Sequence, residues 1–318
     1  ICSTNIYRLG RLSRKMSNAR DPNTSLLDWA TKAALEHPAP VGTVFRKPEQ
    51  IDKKWIDALL GEKTDGSRMK QEVAKLKDPN STHEERIEAL SQLEFLCDLT
   101  HNANDMTQIG GLELLFEYIL SDNEEIRLAA FNILGVCVAN NDYFSDAVMQ
   151  NPDRFSQLLQ LFQQPASEVV RSKSLWIISG LLRVSSIAFS NFTSNPDAMS
   201  SLIHCLVDFS NLRVTRRAIN LMQFIEFKMP HLLGKDFPEL LLASLEQIKD
   251  TDCREQIVKL LAEFHERGDN LSDETPNVLR KVQDEVERCN NDDSHDPEML
   301  ISSITELLKV TEGSKDAT

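Results

Sequence analysis

The chain has 318 residues, 41% of them hydrophobic, and a formal net charge of −14. Its length suits one extended domain with terminal extensions, and its apolar share suits a buried core. The acidic balance argues against nucleic acid, whose phosphates call for a basic surface, and against a polybasic membrane anchor. No run approaches the roughly eighteen apolar residues of a membrane span.

Residues 1–15, ICSTNIYRLGRLSRK, are basic, contain Ser and lack acid. The reading adopted is translated sequence upstream of a start at Met16; a fragment of a mitochondrial-type leader is the alternative. Residues 1–20 are therefore set apart as leader-like or non-native. Residues 21–65 form an N-terminal segment with two short helices, SLLDWATKAALEH ended by Pro38 and IDKKWIDALL ended by Gly61. Trp29 and Trp55 sit in these helices, either pinning them to the rest of the chain or serving as recognition anchors.

Residues 66–268 carry an internal repeat. EEIRLAAFNILGVCVANN from Glu124 stacks on SEVVRSKSLWIISGLLRV from Ser167, with Arg127 over Arg171 and Phe131 over Leu175. Apolar residues recur at spacings of three and four, so each copy is a helix apolar over more than half its girth. The register extends upstream to Arg86 and Leu90 and downstream to Thr215 and Ile219, then to Arg254 and Val258. The period of about 40–44 residues lies in the armadillo/HEAT range. A short and a medium helix precede each long one, with Pro152 and Pro196 opening the medium helix at the position that tolerates proline. This is the armadillo order. The expected fold is an all-α, right-handed armadillo-type solenoid of four to five repeats with helical caps. Residues 67–78 cap one end. Residues 269–318 supply two closing helices, PNVLRKVQDEVERC and PEMLISSITELLKV, and a polar tail.

Chemistry has little foothold. Seven histidines are scattered without HExxH or CxxC spacing, and no phosphate loop, nucleophile elbow or EF-hand loop is present. No cofactor, no metal and no catalysis are expected. Cys97, Cys137 and Cys205 lie in apolar helical stretches and read as buried reduced thiols. Surface remains. In an armadillo stack the outward positions of the long helices line the concave face: Ser91 and Phe95, Asn132 and Val136, Trp176 and Gly180, Asn220 and Phe224, Lys259 and Glu263. Arg127, Arg171, Lys173, Arg183, Arg213, Arg216 and Arg217 lie nearby, a basic concentration in an acidic chain that suits an acidic protein partner. The bland reading is a solvated face whose apolar members pack on neighbours.

Five stretches in order resemble one family. They are SLLDWATKAALEH, the first-repeat stretch with Asn102, Ala103, Asn104, Gly110, Gly111 and Leu112, IRLAAFNILG followed by Asn140 and Asn141, VVRSKSLWIISGLLR with Arg171, Lys173 and Leu175, and the closing helix pair. Together they are similar to the armadillo-type nucleotide exchange factors of seventy-kilodalton heat-shock chaperones, the heat-shock-protein-binding-protein and Fes family. The basic fourth unit, from Leu212, departs from the family pattern. The resemblance implies a monomeric cytoplasmic co-chaperone, with the nucleus also open, that wraps the chaperone's ATPase domain and promotes ADP release. It implies a dock over Arg127, Asn132, Asn140, Arg171, Lys173, Trp176, Arg183, Arg216, Asn220 and Phe224. Leu26, Leu27 and Trp29 become a substrate-mimicking segment. The alternative is a peptide-binding armadillo adaptor. Such grooves resemble a Trp–Asn ladder, of which only Trp176 is present, with Gly180 where Asn is expected.

Overall fold

The computed structural model describes residues 64–165, 167–209, 211–269, 271–289 and 298–313. The N-terminal segment, with Leu26, Leu27, Trp29 and Trp55, lies outside the described residues, as do most of the loop between the closing helices and the tail.

Among the described residues there are fifteen helices and no strand. They are α1 (Asp65–Lys77), α2 (His83–Cys97), α3 (Thr100–Gln108), α4 (Gly111–Tyr118), α5 (Glu124–Val138), α6 (Asp142–Met149), α7 (Pro152–Gln163) and α8 (Glu168–Val184). Then follow α9 (Ser186–Thr193), α10 (Pro196–His204), α11 (Leu212–Lys228), α12 (Phe237–Gln247), α13 (Thr251–Glu266), α14 (Thr275–Cys289) and α15 (Glu298–Gly313). None is long and apolar enough to cross a membrane.

The long helices α2, α5, α8, α11 and α13 stack side by side in chain order. The repeat register explains why: Leu90, Phe131, Leu175, Ile219 and Val258, the five equivalent apolar positions, are all fully buried. The closing pair extends the stack, α15 packing on α13 and α14 on α12. The result is the all-α armadillo-like solenoid that the repeat predicts.

Helix starts repeat as faithfully as helix interiors. Asn123, Ser167, Asn211 and Asp250 each accept a hydrogen bond from a first-turn amide of their long helix, satisfying donors that the helix itself leaves open. Thr82 and Glu85 form a reciprocal capping box on α2. Asn151 and Asn195 cap the medium helices, with Pro152 and Pro196 at the first turn as expected. One interval breaks the pattern. Between α11 and α12 no short helix forms. Residues 229–236 instead make a loop that contains Pro230, with His231 and Gly234 at positive φ. Glu226, fully buried, organises it by accepting from the amides of His231 and Leu233, both at 2.9 Å. Arg267 faces the same carboxylate at 3.5 Å.

In four of the five units the equivalent position braces its helix against the preceding turn; Arg171 is the exception and pairs with carboxylates instead. Arg127 donates to the Ser121 carbonyl at 2.8 Å and Arg254 to the Ile248 carbonyl at 2.6 Å. Arg86 reaches the carbonyls of Asp78 and Pro79, and Thr215 does the same to Asp208 with its hydroxyl. A buried carbonyl without a donor is costly, so this is a structural position. The thiols are structural too. Cys97, Cys137, Cys205 and Cys253 are free and buried. Cys97 and Cys137, forty residues apart, meet across α2 and α5; their hydrogen bond, with burial, pushes the Cys137 thiol well up.

Two predictions follow from the braces. Arg254 is 3% exposed, so Arg254→Ala, which strands the Ile248 carbonyl, should lower unfolding free energy by roughly 1–3 kcal/mol. Arg183→Ala, at an exposed site, should stay within about 0.5 kcal/mol; urea melts of the two variants check the contrast. Glu285 receives hydrogen bonds from Lys249 and Arg254, which hold its carboxyl below the usual range. A depressed carboxyl stabilises the fold above its unfolded pKa and loses that contribution as pH falls through the folded value. Glu285→Gln should therefore flatten the acid limb of stability against pH relative to the parent, read by denaturant titrations from neutral to acid pH.

Candidate partner-binding surface

The outward positions of the long helices form one face of the stack. None of Ser91, Phe95, Asn132, Val136, Trp176, Gly180, Asn220, Phe224, Lys259 and Glu263 is fully buried. Charge along this face is not uniform. Glu84, Glu88 and Glu125 stand at its N-terminal end, and Asp252, Glu263 and Glu266 at its C-terminal end. Between them α8 and α11 carry Lys173, Arg183, Arg213, Arg217 and Lys228. None of these five makes an ion pair with a described carboxylate, whereas Arg154, Arg171, Arg216, Arg254 and Arg267 all do.

The first cluster is built around Trp176, at the equivalent position to Asn132 and Asn220. Its ring lies against α5 where Gly135 stands, and a Cβ at Gly135 would overlap the indole. The ring is therefore half-buried, with one part packed on α5 and another left open. Two cations flank it: Lys173 Nζ lies 5.3 Å from the ring centroid and Arg217 Cζ 5.5 Å. Lys173 donates to Asn132 Oδ1 of the previous unit, and Arg217 to the carbonyl and hydroxyl of Ser172. Arg213 completes the group. Burial pushes the Lys173 ammonium below its ordinary value; Arg217 and Arg213 add to this and Glu94 opposes it. Arg217 is lowered in the same sense by burial and by Arg213. Beside the cluster lies an open cleft of about 540 Å³, lined by Val169, Ser172, Lys173, Asn211, Leu212 and Arg213. Cations brought together repel one another, and Glu94 offsets this only in part. An anionic partner group relieves that repulsion.

The second cluster lies at the C-terminal ends of the same two helices. Arg183 stacks over Phe224 at 4.8 Å, and Lys228 lies 4.2 Å from the Phe189 centroid and 5.6 Å from that of Phe224. Phe189 and Phe224 meet edge-to-face at 6.0 Å.

The ten candidate positions thus separate. Asn132, Lys173 and Trp176 come together in the first cluster, and Arg183 and Phe224 in the second. Arg127 is held by its brace. Arg171 is engaged by Asp208 at 3.4 Å and Glu168 at 3.6 Å, and lies over Phe162. Arg216 pairs with Asp250 and Asp252 of the next unit, clamping the start of α13; the Asp250 hydrogen bond drives its guanidinium affinity for the proton up. Asn220 bonds the Arg216 carbonyl, and Asn140 is an exposed turn residue at φ +52°. Phe189, Phe227 and Lys228 escaped the sequence reading. The signal for Phe227 and Lys228 was their i+3 and i+4 spacing from Phe224 on one helix face.

The indole and Gly135 are coupled by volume. Gly135→Ala should displace the ring and destabilise by roughly 1–3 kcal/mol. In a Trp176→Leu background the same change should be near neutral. A double-mutant cycle by chemical denaturation measures the difference, and additive effects would mean that the ring is not held there.

Known proteins resemble this chain in sequence and in fold. Residues 24–106 match the family model described as nucleotide exchange factor Fes1. An Hsp70 nucleotide exchange factor FES1 from Mycosarcoma maydis is 28% identical over 220 residues, 69% of this chain and 55% of that protein. Its counterpart in Cryptococcus neoformans is 29% identical over 208 residues, 62% of this chain and 51% of that protein. Hsp70-binding protein 1 of Macaca fascicularis is 28% identical over 187 residues, covering 52% of this chain and 50% of that protein. The chain spans about half the length of the curated relatives it matches. A designed armadillo repeat protein superposes with a TM-score of 0.51 at 17% identity, covering 76% of this chain and 99% of the designed one, and shows the fold alone. With the helix order and the repeat register, these matches make the chain similar to the armadillo-type Fes1 nucleotide exchange factors.

Proposed function

We propose that this chain is a co-chaperone without catalytic chemistry of its own. It docks on the ATPase domain of a cytoplasmic seventy-kilodalton heat-shock chaperone and promotes ADP release. The observation that carries the reading is the set of cations, Lys173, Arg213 and Arg217, that have no ion pair among the described residues and gather around a half-buried Trp176 in a chain of net charge −14. Arg and Trp are the residue types that most often dominate binding energy. The three cations offer themselves to carboxylates on the partner's surface, and the acidic ends of the face fix the direction in which a partner is received.

The mechanism is differential binding. A rigid helical face that fits the opened form of the nucleotide cleft better than the closed form shifts the partner's population toward opening. A preference of roughly 1–3 kcal/mol changes nucleotide affinity by about 5- to 150-fold. The relatives' names, Hsp70 nucleotide exchange factor and Hsp70-binding protein, support the partner. Leu26, Leu27 and Trp29, inside the matched segment, are proposed to engage the chaperone's peptide site and free bound polypeptide. The adaptor reading has less support, because Ser91, Asn132, Asn220 and Lys259 stand where a Trp ladder would continue.

The test is release of a fluorescent ADP analogue from a seventy-kilodalton chaperone. The chain should accelerate release, and no acceleration at saturating concentration refutes the reading. Arg213→Glu, at an exposed position, should keep the parent melting temperature and weaken association about tenfold or more, most visibly at low salt. Unchanged association would move the dock away from the first cluster.

A further inference from the structure

The cluster at the C-terminal ends of α8 and α11 stands apart from the one around Trp176. Arg183 lies ten residues beyond Lys173 on α8, about 15 Å along the helix axis at a rise of about 1.5 Å per residue. On α11, Phe224, Phe227 and Lys228 share one face, being three and four residues apart. Phe224 packs edge-to-face on Phe189 and is thereby fixed in position. Phe227 is not: it is 82% exposed, more than any other large apolar side chain among the described residues. Ile187, at the start of α9, is also exposed.

The two cations here are placed by rings rather than by carboxylates. Arg183 is held over Phe224, and Lys228 over both Phe189 and Phe224. A ring face attracts a cation without neutralising it. Each therefore keeps its charge and its outward N–H donors for a further acceptor. The fold gains little from Phe227 in this position, since most of its surface is open to solvent. An exposed phenyl ring beside two ring-held cations with no ion pair among the described residues, in a chain with fourteen more acidic than basic charges, is complementary to acidic groups next to an apolar side chain.

We propose that this cluster is a docking site for a short acidic linear segment of a partner protein. Carboxylates of the segment pair with Arg183 and Lys228, and an apolar side chain of the segment covers Phe227. The size of the patch selects a linear segment over a folded surface. Two neighbouring helix ends span about 10 Å, whereas a standard interface between folded proteins buries about 800 Å² on each side. The site lies outside the cluster around Trp176, and its occupancy does not depend on nucleotide exchange.

The experiment is fluorescence anisotropy of a labelled glutamate-rich peptide with a central leucine, titrated with the full chain. The control peptide has glutamine for every glutamate. The acidic peptide should bind, lose affinity with added salt and outcompete the control. Lys228→Glu should weaken it about tenfold and Phe227→Ser severalfold. Phe227→Ser should retain the parent's thermal melt and its acceleration of ADP release. Absence of binding, equal binding of the control peptide, or unchanged binding by both variants overturns the proposal and leaves the exchange reading standing. Parallel loss of peptide binding and ADP release in the variants also overturns it, because the patch is then part of the dock. Concentration-dependent self-association that Phe227→Ser abolishes makes the occupant a second copy and overturns it as well. Peptide binding in a chain that fails to accelerate ADP release refutes the exchange reading and leaves this one intact.

Discussion

The middle long helices α5 and α8 are apolar over more than half their girth, so they are stable only with cover on two sides. That single requirement fixes most of what is observed. A helix such as α5 cannot bury Phe131 and Cys137 by packing against one neighbour; it needs α2 on one side and α8 on the other. Stacking then propagates until a helix with a polar outer face ends it. The polar remainder of each long helix is left as a strip, and strips from consecutive units join into one continuous face. The surface for partners is a by-product of the way the core is closed.

The register of that face was legible in the sequence, because burial in a repeat depends on spacing along one helix. Leu90, Phe131, Leu175, Ile219 and Val258 fall where the alignment of copies puts them. The first-turn prolines of the medium helices were legible for the same reason, since they act locally. Which cations were free was not. Arg216 pairs with Asp250, Arg171 with Asp208 and Arg254 with Glu285, each partner lying some thirty to forty residues downstream. At that separation, nothing in the local sequence distinguishes Arg216, which is paired, from Arg217 beside it, which is not. The loop at residues 229–236 was hidden in the same way. Its organiser is Glu226, a carboxylate inside an apolar helix, whose meaning depends on amides that come after it.

The distribution of charge also separates two tasks. The braces from Arg86, Arg127 and Arg254 tie α2, α5 and α13 to the turns before them, and so fix the angle at which these helices enter the stack. Pairs such as Lys249 with Glu285, Lys281 with Glu246 and Gln223 with Glu263 link neighbouring units toward the C-terminal end. The cations left over concentrate on α8 and α11, midway between. Rigidity at both sides of that region keeps the free cations in a fixed arrangement, and binding then costs less ordering of the side chains involved.

The indole of Trp176 standing in the place of a side chain at Gly135 has a consequence for the chain as a set of modules. Repeat proteins are often treated as strings of interchangeable parts, in which one unit can be deleted, duplicated or replaced by an average of its siblings. Here two adjoining units divide one volume between them: the earlier gives up its side chain so that the later can extend a ring. Neither unit is complete without the other. A graft of the unit carrying Trp176 onto any other neighbour meets a side chain where the ring must lie, and a second copy of it in tandem meets Ser179 of the first at the position that Gly135 holds. The order of the middle units is thus written into their shapes.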